Sequence, residues 1–468
     1  MEIVGTFARH CHTWPSGRVH REERPRVSLP TRVLQIGAGN FLRGFADWMI
    51  QKGNDAGVLH HGVAVMRVTP RHDPQADRIT GGFNVVLDGT RDGVPFTETT
   101  RVDVVRQYAS AHDDWDACLA IARQPDLRLV VSNTTDAGIV YLDEDPAARP
   151  PASFPAKMTA LLHERWRHFD GDPGRALSFL PCELIEDNGQ ALRAAILRHA
   201  RHATFASGFE HWIAGHCRFY DTMVDRIVPG TVEPGGLDVR AEHYASWAIA
   251  GDDAIRHEFP LDRAGLPVEF LSDVRPYRQK KVSILNGAHT ALAAVAPALG
   301  CRSVSEAMAH PVAGGYARRL LTDEVLPALP GKPADLQRYA EAILERIANP
   351  ALDHRLADIA LNATAKWQTR NLPVWRATGT APLTTFALAA LLTGYAGALG
   401  DVPVRDDADV VARIRAGFDP ADPLRWVAGT LRTLGWDLSD PERDRLATQT
   451  AEQVRRLLDL GPEKALLS

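Results

Sequence analysis

Three side chains suited to handling protons and polar oxygens fall in one short segment, Lys281-Val-Ser-Ile-Leu-Asn286-Gly-Ala-His289. A lysine ammonium can give a proton and its neutral amine can take one. A carboxamide N–H can hold a developing oxyanion, and an imidazole can bond a hydroxyl. Together they suit a carbonyl becoming an alcohol, or the reverse. The surrounding run is apolar and helix-forming. At about 100° per residue, positions 281, 286 and 289 span an arc of roughly 140°. Ile284, Leu285, Ala288 and Leu292 take another arc. The three polar groups can therefore share a cleft while the helix packs on its other side. Taken alone, such a cluster is more often a solvated helix face, so the rest of the chain has to decide.

The elements that would serve this cluster begin with a predicted buried strand, Arg32-Val-Leu-Gln-Ile36. It runs into Gly37-Ala38-Gly39-Asn40-Phe41, with a helix expected from about Phe41 to Gln51 and a second strand at Gly62 to Arg67. Glycines at such a turn let the backbone approach a pyrophosphate, whose charge meets the helix N-terminus. Ile36, Gly37, Ala38, Gly39, Asn40 and Phe41 are therefore candidate dinucleotide contacts. The third glycine of the usual fingerprint is replaced by Leu42, and the next glycine is Gly44. An NAD enzyme usually carries an acid at the end of the second strand to hold the ribose. Here Arg67 stands there, with Arg71 beyond it and Asp73 as a later acid. Arg67 would suit the extra phosphate of NADP or lie solvated on the surface. NAD and NADP both stay open on spacing alone. Asn133 and Thr134 follow the core strand Leu127 to Ser132. Ligands sit beyond such strand ends, so this pair could touch the nicotinamide ribose or simply cap a loop.

Strands are also expected at 84–89 and 176–180, with helices at 115–123 and 155–168. Alternating strands and helices predict a Rossmann-like, doubly wound parallel sheet. After about residue 277 the pattern turns helical, at 281–298, 335–347, 352–370, 383–395 and 442–458. The expected organisation is an N-terminal arm (1–30), a dinucleotide-binding domain (31–277) and a mainly α-helical substrate domain (278–468). The lysine cluster falls just past that boundary, and clefts beside domain boundaries are favoured ligand sites.

A chain of 468 residues with 45% hydrophobic and 24% charged content reads as an ordinary soluble protein. Its net charge of −5 argues against a general nucleic-acid binder. Cys11, Cys118, Cys182, Cys217 and Cys301 are widely spaced with no C-x-x-C pair, so neither a disulfide framework nor structural zinc is expected. The polar N-terminus has no signal-peptide core, and no membrane span is read from the sequence. A cytoplasmic location is the expectation.

Four segments in this order resemble the polyol-specific long-chain dehydrogenases, the mannitol dehydrogenase family. They are Gln35 to Arg43, Ser132 to Gly138, Met223 to Ile227, and Lys281 through His289. The resemblance spans about residues 30 to 460. It implies hydride transfer with NAD and without zinc. It assigns Lys281 as acid and base, Asn286 as oxyanion donor and His289 as a substrate or lysine-positioning contact. Asp225 would bind substrate hydroxyls or pair with Arg226. The strings Val131-Ser-Asn-Thr-Thr, Phe154-Pro-Ala-Lys157, Pro181-Cys-Glu-Leu-Ile185 and Ile359-Ala-Leu-Asn362 are most similar to the family's uronate-reducing branch. That likeness implies a small sugar-acid substrate.

Two departures stand out. Leu184 occupies the position of a second oxyanion asparagine, for which Asn188 is the nearby substitute. Asp358 stands where a substrate-binding arginine is expected, while Lys366 is retained. Lys366, Arg355 and Arg370, expected on one helix, and Arg275 with Tyr277 are the candidate carboxylate partners. A polyol dehydrogenase or a sister uronate reductase is the alternative within the family. A non-catalytic dinucleotide sensor is the alternative outside it. Oligomeric state is not legible.

Overall fold

The computed structural model describes residues 28–70, 76–91, 94–134, 138–202, 205–349 and 354–467. The arm before residue 28, Arg71, Asp73 and residues 135–137 lie outside these. The chain divides into two compact units. One comprises the chain to Leu87 together with Thr97–Val274, and the other comprises Asp88–Phe96 together with Arg275–Ser468.

The first unit is built on a six-stranded parallel sheet. Across the sheet the strands run Val105–Ser110, Gly62–Arg67, Thr31–Ile36, Leu129–Ser132, Ser178–Pro181 and Arg218–Phe219. Counted along the chain this is the order 3-2-1-4-5-6 of dinucleotide-binding sheets. Both faces are covered, which is why the central strands are apolar throughout. Val33, Val63, Val65, Leu129 and Val131 feed one core, with Phe45, Met49 and Trp247. Leu34, Ile36, Ala64, Met66 and Val130 feed the other, with Leu119, Met158, Leu162 and Ile196. The period-two alternation of a strand thus divides one apolar run between two cores.

The strand Val105–Ser110 was not expected from sequence. It is an edge strand, half-buried at Arg106, Gln107 and Tyr108, so its polarity hides it. Two smaller sheets complete the unit. One joins Gly230–Thr231, Val239–Glu242, Phe83–Arg91 and Val94–Val102. The other joins Val268–Leu271, Ser246–Ala250 and Asp221–Asp225.

The second unit is helical. Arg275–Leu299 is long and apolar enough by composition to cross a membrane, unlike the sequence expectation, but two-thirds of it is buried inside the protein (67%). It reads as a core helix whose apolar stretch is enclosed by protein. The helix Pro382–Tyr395, buried from Thr384 onward, packs against it. Glu324 caps that buried helix, accepting from the amides of Leu383 (2.6 Å) and Thr384 (2.8 Å) and from the Thr384 hydroxyl (2.7 Å).

The single helix expected over 352–370 is broken. Asn362 has a φ of +55°, separating Leu356–Ile359 from Ala363–Arg370. Arg355 precedes the break and is exposed, so it does not share a helix with Lys366 and Arg370.

Candidate active site

In the first unit, Ile36 ends its strand and Gly37 turns with a φ of +105°, which a side chain would strain. The Gly37 amide donates to Met66 O (2.9 Å), and the Asn133 amide donates to Ile36 O (3.3 Å). A Cβ on Gly37 would stand 3.4 Å from Asn133 O. The glycine turn and Asn133 are therefore neighbours where the strand order reverses, the crevice in which such sheets hold ligands. A Cβ on Gly39 would meet nothing within 4 Å. Packing does not demand glycine there, and the open space suits a phosphate at close approach. The helix beginning at Asn40 has no side-chain cap, which leaves first-turn amides for an anion. These residues fit a dinucleotide.

Leu42, in place of the third glycine, is buried against the turn, 3.7 Å from where a Gly37 Cβ would lie. Gly44 gives the close packing instead, because a Cβ there would press on Val239 (3.2 Å) and Val228 (3.3 Å). Ala38 and Phe41 are half-buried, and Phe41 stacks on Phe45 with ring centroids 5.0 Å apart. The Asn40 side-chain oxygen accepts from Arg43.

Beneath the turn, Gln35 Nε2 donates to Gly37 O (3.1 Å) and to Asp47 (3.4 Å). Burial pushes the Asp47 carboxyl up to about 7, against the smaller lowering effects of Gln35 and Arg43.

Arg67 is buried, and its guanidinium turns onto Ser110 Oγ (2.8 Å) and Asp113. It is not the solvated arginine of one reading.

Thr134 is fixed by Glu183, whose Oε1 accepts from the Thr134 amide (2.9 Å) and hydroxyl (3.0 Å). Oε2 accepts from Ser132 Oγ (2.9 Å). Burial raises the Glu183 carboxyl, and these bonds pull the other way.

Asn188 is a correction. Its Nδ2 donates to the carbonyls of Pro181, Glu183 and Thr222 (2.9–3.0 Å), and its Oδ1 accepts from Gly189 and Thr222. With no amide hydrogen left over, it cannot replace the asparagine missing at Leu184. Asp225 is buried at its strand's end, opposite Ser246. Arg226 bonds the carbonyls of Gly44, Tyr244 and His243, and the acids acting on it are Glu242 and Glu98.

In the second unit, Lys281 is buried at the end of a regular helical stretch, and Val282–Gly287 forms a π-helical turn before α-helix resumes at Ala288. The extra residue wound into that turn takes back about 100° of rotation. His289, beyond the turn, moves from about 80° to about −20° from Lys281, and Asn286, inside the turn, moves part of the way back from about 140°. Asn371, from outside the helix, donates to Gly287 O (3.2 Å) at the irregular turn.

Among the described residues, Asn286 Nδ2 and His289 Nε2 are buried without a hydrogen-bond partner. Burial drives the His289 pKa well below its ordinary value, with His354, Arg346, Arg370 and Lys281 adding to the shift. A neutral ring crowded by cations results. The Lys280 ammonium faces the rings of Tyr339 (4.5 Å) and Tyr277 (5.5 Å). Lys366 Nζ donates to Ile359 O (2.8 Å), and Asp358 accepts from Arg405 (2.9 Å).

Residues 31–262 match the family model described as mannitol dehydrogenase Rossmann domain, and 273–399 match the mannitol dehydrogenase C-terminal domain. The altronate oxidoreductase of Bacillus subtilis (strain 168) is 37% identical, over 94% of this chain and 95% of that one. This chain belongs to the mannitol dehydrogenase family. The altronate oxidoreductase of Yersinia enterocolitica (strain NCTC 13174 / 8081) is 34% identical, over 96% and 99% of the two chains. The solved Pseudomonas fluorescens mannitol 2-dehydrogenase, a ternary complex with NAD and D-mannitol, superposes with a TM-score of 0.77 at 22% identity, over 94% of each chain. A D-sorbitol dehydrogenase superposes with a TM-score of 0.73 at 19% identity, over 94% and 95%. These two likenesses establish the family fold.

Within this mannitol dehydrogenase family chain, sequence reasoning missed Glu183, Asp47 and His354. Glu183 sits in a string already singled out, Pro181-Cys-Glu-Leu-Ile185, and an acid directly after a buried strand was the available signal. Asp47 and His354 gave none.

Proposed function

We propose that this chain is an NAD-dependent oxidoreductase interconverting D-tagaturonate and D-altronate. Residues 31–277 would carry the dinucleotide, and 278–468 the acid–base group. The observation that carries the reading is the pair of unpartnered buried nitrogens, Asn286 Nδ2 and His289 Nε2, on the same helix as Lys281. Buried polar atoms are normally satisfied, so their partner is expected to be a ligand oxygen. The sugar-acid reading follows relatives named altronate oxidoreductase over nearly the whole chain.

When bound, a nicotinamide dinucleotide supplies the hydride for reduction or accepts it in oxidation. Gly37, Gly39 and the amides from Asn40 onward would hold its pyrophosphate, and Asn133 with Thr134 its nicotinamide ribose. The bonds of Arg67 to Ser110 and Asp113 support NAD over NADP, since a guanidinium so engaged has less to offer a 2′-phosphate.

In reduction, Lys281 Nζ gives its proton to the ketone oxygen as negative charge develops there. Asn286 Nδ2–H donates to the same oxygen, a dipole fixed before reaction by the π turn. Neutral His289 bonds an adjacent hydroxyl. Asp225 orients substrate hydroxyls, and Lys366 answers the carboxylate. In oxidation the neutral Lys281 amine takes the hydroxyl proton. Four buried free thiols, Cys118, Cys182, Cys217 and Cys301, accord with a reducing, cytoplasmic setting.

The test follows NADH oxidation with tagaturonate, fructuronate and fructose in parallel. Tagaturonate is expected to be turned over fastest. Good turnover of fructose with none of either uronate would return the chain to a polyol dehydrogenase. Cofactor binding without turnover of any of them would favour a sensor.

A further inference from the structure

A third buried nitrogen lies in the second unit beside the two already described. His354 packs its ring edge-on against His289, with centroids 5.3 Å apart and planes at 77°. Its Nδ1 is buried without a partner among the described residues, as are His289 Nε2 and Asn286 Nδ2. The backbone holds His354 firmly. His354 O accepts from the Val304 amide (2.9 Å), Leu356 N donates to Arg302 O (3.0 Å), and Ser303 and Arg355 form a β-bridge between them. An imidazole placed this firmly, yet denied a protein partner, is a poor packing solution unless something bonds it.

The His289 ring beside it lies among cations. The Arg370 guanidinium donates to Thr290 Oγ1 (3.1 Å), one residue beyond His289. Arg346 and Arg370 both act on the His289 ring, and burial followed by opposing effects of Asp358 and Lys366 leaves His354 below its ordinary pKa. Such a ring is neutral near pH 7 and carries one N–H. With that hydrogen on Nδ1 it is a donor next to a ring on which Arg346, Arg370 and Lys281 all act, and an acceptor-only anionic group suits it.

We infer that His354 is a substrate-binding residue whose Nδ1–H donates to the carboxylate that distinguishes a keto-uronate from a neutral ketose, beside the His289 ring on which Arg370 acts. This rests on the keto-uronate reading above and assigns that group its recognition element. His354 would thereby set selectivity at a position distinct from both departures noted in the sequence, Leu184 and Asp358, the second of which acts on its ring.

The test compares kcat/KM for tagaturonate with that for the neutral ketose carrying CH2OH in place of the carboxylate. It does so in the wild type, His354→Leu and His354→Gln. Leucine fills similar space without a polar atom, whereas glutamine keeps an N–H donor. The uronate-to-ketose ratio is expected to fall at least tenfold in His354→Leu, mainly through KM. In His354→Gln it should stay within about threefold of wild type. An unchanged ratio in His354→Leu overturns the assignment, and so does a His354→Gln ratio as low as that of leucine. If the leucine variant does not fold, the glutamine variant decides alone: retention supports a donor role and a tenfold fall refutes it. Wild-type protein that turns over no uronate overturns the functional reading and this assignment with it. Wild-type turnover with indifferent variants overturns the assignment only.

Discussion

Lys281 is the side chain whose removal separates binding from chemistry. Lys281→Ala should leave dinucleotide affinity intact, because the glycine turn lies in the other unit. Turnover should fall about a hundredfold to ten-thousandfold, the usual worth of a positioned acid or base. Dinucleotide titration by fluorescence alongside initial rates checks this, and retained turnover would remove lysine from the mechanism. Asp47 is the residue for a pH prediction. Its folded carboxyl titrates near 7, above its ordinary value of 3.8, with Gln35 and Arg43 as the groups acting on it. The neutral form is the one the fold favours. The associated stability is fully present below pH 3.8 and is lost as pH rises through about 7. The loss is on the order of 4 kcal/mol at most. Asp47→Asn should therefore flatten the fall in melting temperature between pH 5 and pH 8, measured by thermal unfolding. At this scale the sequence was partly legible. Lys281, Asn286 and His289 announce themselves by type and spacing. Asp47, Glu183 and His354 draw their character from burial and from partners distant in the chain, which no local pattern encodes. Asn188 misled for the same reason: proximity in sequence did not reveal that its amide is wholly taken by backbone.

Elements place these residues, and the two glycines of the nucleotide turn make separable predictions. Gly37 adopts a φ of +105°, so Gly37→Ala should cost about 1–2 kcal/mol of stability as well as dinucleotide affinity. Gly39 has ordinary backbone angles, and a Cβ there meets no protein atom within 4 Å. Gly39→Ala should therefore melt like wild type yet raise the KM for NADH at least tenfold. A Gly39→Ala protein with unaltered KM would move the pyrophosphate elsewhere. In the helical unit, Glu324→Ala removes three bonds from the start of the buried helix Pro382–Tyr395 and should cost about 2–3 kcal/mol in urea unfolding. The parallel sheet was readable from its apolar runs. The edge strand Val105–Ser110 and the break at Asn362 were not, because one is half-solvated and the other turns on a single left-handed residue.

For the whole molecule, the combination of a doubly wound parallel sheet and a helical unit is the architecture expected from the alternation of patterns along the chain, while the strand order 3-2-1-4-5-6 came from the structure. The chain divides between Val274 and Arg275, with one exception that periodicity could not foresee, the hairpin tip Asp88–Phe96. Ligand linkage gives a prediction at this scale. A dinucleotide at about a hundred times its dissociation constant stabilises the form that binds it by about 2.7 kcal/mol. Calorimetry with NADH should show the rise in wild type and in Lys281→Ala, and at the same concentration a much smaller rise in Gly39→Ala. NADPH in place of NADH should give the lesser shift, given where Arg67 is turned.

The π turn at Val282–Gly287 amounts to one residue more than a regular helix needs. A gene lacking one codon between Lys281 and Asn286 would encode a regular helix in which the asparagine and the histidine, now four and seven positions after the lysine, still face it. The turn is thus the mark an inserted residue leaves in a helix whose two ends keep their register.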